Sequence, residues 1–389
     1  MDYPDSLSFH ALQAEHPDYK IYRPIWDTID DLSNGGNQIE RNKTRYVKIR
    51  PGEDFLLFQK RLDRFTYTNI LGSGLNEQVS KLNLGSLLIN NQDEDPEFWS
   101  GFLNNIDRAS GYWDFTLELF RTLLQFKWAY IRVNKPVIDQ EIETELDAQR
   151  LDEFPYVELI KPHTVINWSD IDKDNNFEWV KLRYVTSETS PTSDRNKLIC
   201  TWVFIDPDNI AYYDLEVKVV DGTIVPFYDN PSIDREYLVP RRGQSIFHNY
   251  NSIPIKRVEL PDYLWLANQA YLPCLEHLNT SNSLYDTRMT IGYVQRTYEP
   301  HEIKTPDSDL DNSYVTAKTT SDRNDPIKSG NQYILKVSEF KFNEAVGSSV
   351  TVQRQELKEI EAEVKNNLRF IWIYCPKRVY ATVRSVQIF

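Results

Sequence analysis

Acidic side chains give the sequence its nearest approach to a metal site. Asp170, Asp172 and Asp174 stand at alternate positions, as at the start of a calcium-binding loop, in which carboxylate oxygens bind the ion. The rest of that loop pattern is missing, because Asn175 replaces the required glycine and Lys181 stands where a bidentate glutamate should be. The pattern therefore favours a polar turn between strands, and we predict no metal site.

The groups that usually perform nucleophilic or acid–base catalysis are spread singly along the chain. The histidines are His10, His16, His163, His248, His277 and His301, and no two have ligand spacing. Cys200, Cys274 and Cys375 are far apart, which argues against a disulfide framework and predicts buried thiols. The sequence contains no phosphate-binding loop motif, no HExxH zinc motif and no GxSxG nucleophile motif. The sequence predicts no enzyme, no catalytic residue and no cofactor, although scattered carboxylates leave a nuclease open.

Charged side chains alternate along a segment near the end of the sequence. The pattern predicts a helix over residues 346–368. Along it, acidic residues alternate with Lys358 and Lys365; the acidic residues are Glu356, Glu359, Glu361 and Glu363. Such alternation favours a solvated helix face, and it would also suit a helix that lines a pore. The residues by themselves leave both interpretations open.

Length and composition indicate a folded, acidic protein. The chain has 389 residues, 40% hydrophobic and 13% aromatic, which is enough apolar surface for two or three interdependent sub-domains. Its net charge of -14 repels phosphate, so a general nucleic-acid binder is not expected. The amino-terminal segment is acidic, and no run of about 18 apolar residues occurs. We therefore expect synthesis in the cytoplasm and no membrane partner.

The elements that must position these residues begin with helices. One amphipathic helix should end at Asn34-Gly35-Gly36, and further helices should begin at Pro96 and after Gly111. Another is expected over residues 52–70, stopped near Gly72-Ser73-Gly74. Its apolar face would carry Phe55, Phe58, Leu62 and Phe65.

Strand patterns follow the helices, and helical patterns then return. Apolar runs separated by turn signals predict antiparallel strands from residue 128 to about residue 260, interrupted by an acidic excursion over 136–152. A helix of roughly 40 Å is expected from Pro261, with Pro273 inside it. A polar, strand-poor stretch separates it from the charged helix.

Several of these segments occur in an order that is itself informative. The opening segments are HPDYKIYRPIWDTIDDLSNGG, YVKIRPGEDFLLFQKRLDRFTYTNI and WDFTLELFRTLLQFKWAYIRVNKP. The returning strand FPYVELIKPHTVINW is the most specific, through Pro155, Tyr156, Pro162, Ile166, Asn167 and Trp168. The later segments are SIPIKRVELPDYLWLANQAYLPCLEHLNTSNSLYDT and AVGSSVTVQRQELKEIEAEV. Together they cover residues 16–368 in collinear order and resemble a portal-like family among the portal proteins of tailed bacteriophages.

The resemblance implies a division of an α+β chain into the parts of a portal subunit. Residues 1–260 would form the wing, which would be helical over 16–127 and β-rich over 128–260. Residues 261–291 would form a stem helix, and residues 346–368 would form the second stem helix. The clip-containing region would be 292–345, and 369–389 would be an atypical tail. Members of this family continue with a wing helix and often a crown, which here are missing or replaced by a tail that predicts a short β-hairpin.

The resemblance also implies a function. Portal subunits form a ring, usually of twelve copies, at one vertex of the virion capsid, where DNA enters during packaging and leaves during ejection. Its partners would be the major capsid protein, the terminase, a head–tail adaptor or neck protein, and double-stranded DNA that passes without sequence-specific binding. Because an acidic wall repels phosphate at every register, we expect Glu356, Glu359 and Glu363 to face the channel. Another phage head or neck protein is the alternative, and a carboxylate-dependent nuclease is a more remote one.

Overall fold

The computed structural model of the protein describes residues 3–82, 96–134, 155–172, 176–189, 197–220, 223–227, 237–248, 252–291, 295–297, 341–343 and 348–369. Helices and strands are both abundant, so the fold is α+β, as the sequence predicts. The chain forms two compact units. Unit 1 comprises Met1–Ser33, Leu71–Tyr271 and Asn367–Phe389, and unit 2 comprises Asn34–Ile70 and Leu272–Asn366. The expected division into wing, stem and clip is a different one and stays a prediction.

The described elements alternate between helical and β-rich stretches. The α-helices are α1 Phe9–Gln13, α2 Pro17–Asn34, α3 Gly36–Arg41, α4 Lys43–Tyr46, α5 Phe55–Asp63, α6 Ile70–Ser80, α7 Pro96–Asn104, α8 Tyr112–Phe126, α9 Leu266–Ile291 and α10 Ser348–Arg369. The strands are β1 Ser6–Ser8, β2 Trp128–Asn134, β3 Tyr156–Ile160, β4 Val165–Trp168, β5 Val180–Glu188, β6 Lys197–Ile205, β7 Asn209–Val220, β8 Thr223–Pro226, β9 Leu238–Pro240, β10 Ile246–Phe247, β11 Ile255–Glu259, β12 Gln295–Thr297 and β13 Lys341–Asn343. Among the described helices, none is long and apolar enough to cross a membrane.

Antiparallel strands form the two larger sheets of unit 1. One has the order β10-β7-β6-β5-β4, with β8 also paired to β7, and the other has the order β11-β2-β3. At the turn between β6 and β7, an Asp206 carboxylate oxygen accepts hydrogen bonds from the amides of Asp208 and Asn209, at 2.9 and 2.7 Å. The segment expected as one returning strand divides at a turn around Pro162, so that β3 and β4 join different sheets.

Two buried tryptophans fix the end of α8 in the core of unit 1. The last carbonyl groups of a helix have no partner within it, and here the indole N–H groups of two tryptophans donate hydrogen bonds to two of these carbonyl oxygens. Trp26 donates to the carbonyl oxygen of Phe126 and Trp265 to that of Gln125, each at 3.0 Å. The next residue, Lys127, has a φ of 76°, a conformation that favours glycine. The chain thereby turns from α8 into β2.

The amino-terminal segment lies across one face of the larger sheet. Polar groups of the sheet bind its backbone: the Tyr213 hydroxyl donates to the carbonyl oxygen of Pro4 at 2.7 Å. The ammonium group of Lys181 donates to the carbonyl oxygens of Ala11 and Leu12, at 3.1 and 3.2 Å, at the end of α1. Lys181 is buried, and this burial lowers its pKa to about 8. This lysine therefore stabilises the amino-terminal segment and is not part of a calcium loop.

The helix expected over residues 52–70 is wrong in length, in its apolar face and in its stop. α5 ends at Asp63, and the chain from Arg64 to Asn69 is not helical. Leu62 is buried as expected, whereas Phe55 is 61% exposed. Gly72-Ser73-Gly74 lies inside α6, where Gly74 leaves room for the side chain of Leu368 to approach the helix closely. The predicted end of α2 is confirmed, since Gly35 and Gly36 have φ values of 60° and 52°.

Candidate functional site

The candidate stem consists of the two long helices near the end of the described chain. α9 has 26 residues, or about 39 Å at 1.5 Å per residue, and α10 has 22. Pro273 lies inside α9 without ending it, as the sequence predicts. In the expected clip-containing region, β12 and β13 pair antiparallel, so the chain leaving α9 runs beside the chain that approaches α10. Most of that region, the acidic excursion and the atypical tail with its hairpin lie outside the described residues.

A buried asparagine on α9 anchors the preceding part of unit 2. The side-chain oxygen of Asn282 accepts from the amide of Thr66 at 2.9 Å, and its amide group donates to the carbonyl oxygen of Thr66 at 3.0 Å. This paired contact resembles one rung of a β-ladder and satisfies backbone groups that an extended α5 would have bonded internally. It is the physical reason why the helix does not continue through this segment.

Ion pairs hold the loop that precedes α5. The guanidinium group of Arg61 donates to both carboxylate oxygens of Glu53, at 2.9 and 2.6 Å, and both side chains are about nine-tenths buried. The hydrogen bond from Arg61 lowers the pKa of Glu53. Arg50 forms an exposed pair with Asp286 on α9 at 3.1 Å. The loop therefore takes a fixed path beside α9.

The surface of α10 divides into four parallel strips. At about 100° per residue, three of them are exposed and one is packed. The acidic strip is Glu356, Glu359 and Glu363. The basic strip is Arg354, Lys358 and Lys365. The uncharged strip is Thr351, Gln355, Ala362 and Asn366. The packed strip in unit 2 is Gln353, Leu357, Ile360 and Val364, of which Ile360 and Val364 are buried. Apart from Glu361, which lies about 20° from Arg354 around the axis, side chains that alternate in charge along the sequence are thus separated around the helix.

Glu361 is the remaining acidic residue of α10, and its local contacts distinguish it from the acidic strip. Lys365 pairs with Glu361 at 2.6 Å, and its hydrogen bond lowers the pKa of Glu361. The Gln355 amide donates to Glu359 at 2.7 Å. His277 on α9 is buried, which lowers its pKa, although the nearby charge of Glu361 opposes that shift. Glu361 therefore has partners of its own and does not belong to the acidic strip.

The three glutamates singled out from the sequence lie together on one side of α10. Glu356, Glu359 and Glu363 are exposed within an arc of about 60°. The sequence interpretation missed the opposite side, where Arg354 completes the basic strip. A helical projection could have shown this grouping, but the packed strip that orients it becomes visible only in the folded chain.

The described residues on either side of the calcium-like segment pair with each other. Asp172 accepts two hydrogen bonds from Asn176, from its backbone amide at 2.7 Å and from its side-chain amide at 2.9 Å. Ile171 and Phe177 form an antiparallel bridge around it. Within the described ranges, no group of three His, Cys, Asp or Glu side chains could hold a metal ion. Asp174 lies outside these ranges, and the polar turn predicted between strands is present.

Two cysteines and several histidines lie in structural contacts within the described residues. Cys200 and Cys274 are buried, as predicted, and burial raises the pKa of each thiol to about 12. His16 stacks on Trp168 with ring centroids 4.1 Å apart. A ring nitrogen of His248 lies 2.8 Å from the carbonyl oxygen of Asp206. Cys375 and His301 lie outside the described residues.

Comparisons with known proteins leave the chain without an assigned family. No protein-family model matches the sequence, and no curated protein matches it.

Proposed function

We propose that this chain is the subunit of a portal ring at one vertex of a bacteriophage capsid. Double-stranded DNA would pass through the ring during packaging and ejection, held by no sequence-specific contact. The chain would perform no catalysis, because ATP hydrolysis would belong to the terminase. The major capsid protein and a head–tail adaptor or neck protein would bind the outer surfaces of the ring.

The order of the elements carries this proposal. Helices α2 to α8 precede the strand-rich stretch, and that stretch leads to the long helix α9. The expected clip-containing region follows α9, and the charged helix α10 comes next. The same order underlies the sequence resemblance over residues 16–368. Two long helices that flank a polar segment are what a stem and clip require.

The charge of the chain is consistent with this function. DNA that slides through a channel must meet no deep electrostatic minimum, and a chain of net charge -14 repels phosphate overall. That Glu356, Glu359 and Glu363 face the channel stays a prediction. Cryo-electron microscopy of the assembled ring would test it directly.

Particle mass and shape test the proposal. The purified chain at micromolar concentration is examined by negative-stain microscopy and by mass measurement. Closed rings of about twelve copies around an open channel are expected. A strict monomer would contradict assembly as a portal, and a closed particle without a channel would favour another head or neck protein. Magnesium-dependent cleavage of plasmid DNA, lost in Asp172→Asn, would instead support a nuclease.

A further inference from the structure

The acidic and basic strips of α10 lie on opposite sides of the helix, about 150° apart around its axis. Two strips about 150° apart cannot both point directly at one neighbour, so a contact that uses both joins each copy to two neighbours, one on each side. A head-to-tail contact joins two different patches, and such contacts close into rings. The charge distribution of α10 therefore suits neighbouring copies in a ring.

We propose that the acidic strip of α10 in one copy contacts the basic strip of α10 in the next copy of the ring. The inference rests on the proposed function, because it names the surface that joins neighbouring subunits. The occupant is a second copy of this chain, and the argument for it is the complementary charge of the two strips.

The two strips also match in height along the helix. Neighbouring copies in a ring are related by rotation, so equivalent residues of their helices lie at the same level. Glu359 is one residue from Lys358, while Glu356 and Glu363 are each two residues from a basic residue, Lys358 and Lys365. At 1.5 Å per residue, these offsets are about 3 Å or less along the axis. Long side chains span such offsets, so Glu356 and Glu359 can reach Lys358 on the adjacent helix. Lys365 would share its charge between Glu361 of its own copy and Glu363 of the neighbour.

This arrangement assigns the remaining exposed side of α10 to the channel. The uncharged strip lies opposite the packed strip, and in a ring it would be turned toward the axis when the two charged strips meet their neighbours. DNA would then pass uncharged side chains, which also bind phosphate weakly. The glutamates would lie between copies, which is a different position from the channel-facing one expected from the sequence.

The charge contacts would set the pairing and the register of neighbouring copies. A single exposed ion pair contributes only about 0.2–1 kcal/mol, so other surfaces must supply most of the affinity. Like charges placed against each other suppress association and fix which faces meet. Reversing one strip should therefore prevent closure, and assembly of the wild type should weaken with added salt.

Charge reversal in complementary variants tests the inference. The acid-reversed variant is Glu359→Lys/Glu363→Lys, and the base-reversed variant is Arg354→Glu/Lys358→Glu. Each replaces one like-charged pair at i and i+4 by another, so the helix itself changes little. Lys365 keeps its pair with Glu361 in both. Particle mass is measured for each variant alone, for the two co-expressed, and for a chain that carries all four substitutions, with circular dichroism as the folding control.

The expected result is loss of at least 90% of the ring particles in each single variant. Co-expression should restore rings, because alternating copies place opposite charges at every contact of an even-numbered ring, and the fourfold variant should also assemble. Single variants that assemble as well as the wild type would overturn the inference and leave the portal proposal intact. Folded single variants that are not rescued by co-expression would also overturn it. A monomeric wild type would overturn the proposed function itself.

Discussion

Gly74 and Leu368 allow a sharp test of packing within unit 1. A methyl group added to Gly74 in α6 would overlap the Cδ1 atom of Leu368 and lie 3.4 Å from its Cγ. Leu368 is only 2% exposed, so its side chain has little space to move. We expect Gly74→Ala to lower the free energy of unfolding by about 1–2 kcal/mol. Overpacking costs about 1–3 kcal/mol, and the helix preference of alanine offsets up to about 1 kcal/mol of that.

Shortening the side chain of Leu368 should relieve this clash. Leu368→Ala alone should cost about 2–5 kcal/mol, because it leaves a cavity in a buried position. In the double variant, the new methyl group at Gly74 occupies part of the space that the leucine leaves. The double variant should therefore be more stable than the sum of the two single changes by at least about 1 kcal/mol.

Gly101→Ala is the matched control. Gly101 lies in α7, and an added methyl group there would meet no atom within 4 Å. This substitution should raise the free energy of unfolding by up to about 1 kcal/mol, through helix preference alone. Urea denaturation followed by circular dichroism gives all four values. Equal stability of the two glycine variants, or strict additivity in the double variant, would refute the proposed contact.

Buried polar groups lead to three further predictions. Asn282→Ala should lower the free energy of unfolding by about 1–3 kcal/mol, measured in urea, because both backbone groups of Thr66 lose their partner. The lowered pKa of Lys181 means that the unfolded chain binds its proton more tightly, so stability should rise between pH 8 and 10. Roughly 2 kcal/mol should return from pH 7 to 9.5, and Lys181→Met should abolish that gain in denaturation measured across pH. Cys200 and Cys274 should resist a thiol reagent at pH 8 and react in urea, as mass spectrometry of labelled protein would show, because burial raises the pKa of both to about 12.

Local patterns predicted those elements whose ends are fixed by nearby residues. α2 ends where two glycines adopt positive φ values, and both glycines are visible in the sequence. The strands were expected from residue 128, and β2 begins there, because Trp128 to Asn134 form a compact apolar run with Pro136 soon after it. In both cases the signal that starts or stops the element lies within a few residues of it.

Contacts between distant residues account for the errors. Gly72-Ser73-Gly74 has the composition of a helix stop, yet it lies inside α6, where Leu368 occupies the space that a side chain at position 74 would need. α5 ends early because Asn282 binds the backbone of Thr66. In the sequence, Lys181 was noted only because it breaks the pattern of a calcium loop. In the structure its ammonium group binds backbone carbonyl oxygens at the end of α1. A single sequence gives no local sign of such partners.

Helical geometry made the acidic part of the candidate site predictable from the sequence. It did not show where the basic residues lie relative to the packed side of the helix. The sequence identified three glutamates on one side of a helix, but only the packed strip shows where the basic residues lie relative to them. A chain of net charge -14 repels its own copies, so any assembly needs a local surface on which positive charge is available. Arg354 and Lys358 provide such a surface on the side of α10 away from Glu359. Separation of charge around one helix would therefore reconcile an acidic chain with the proposed association between identical copies.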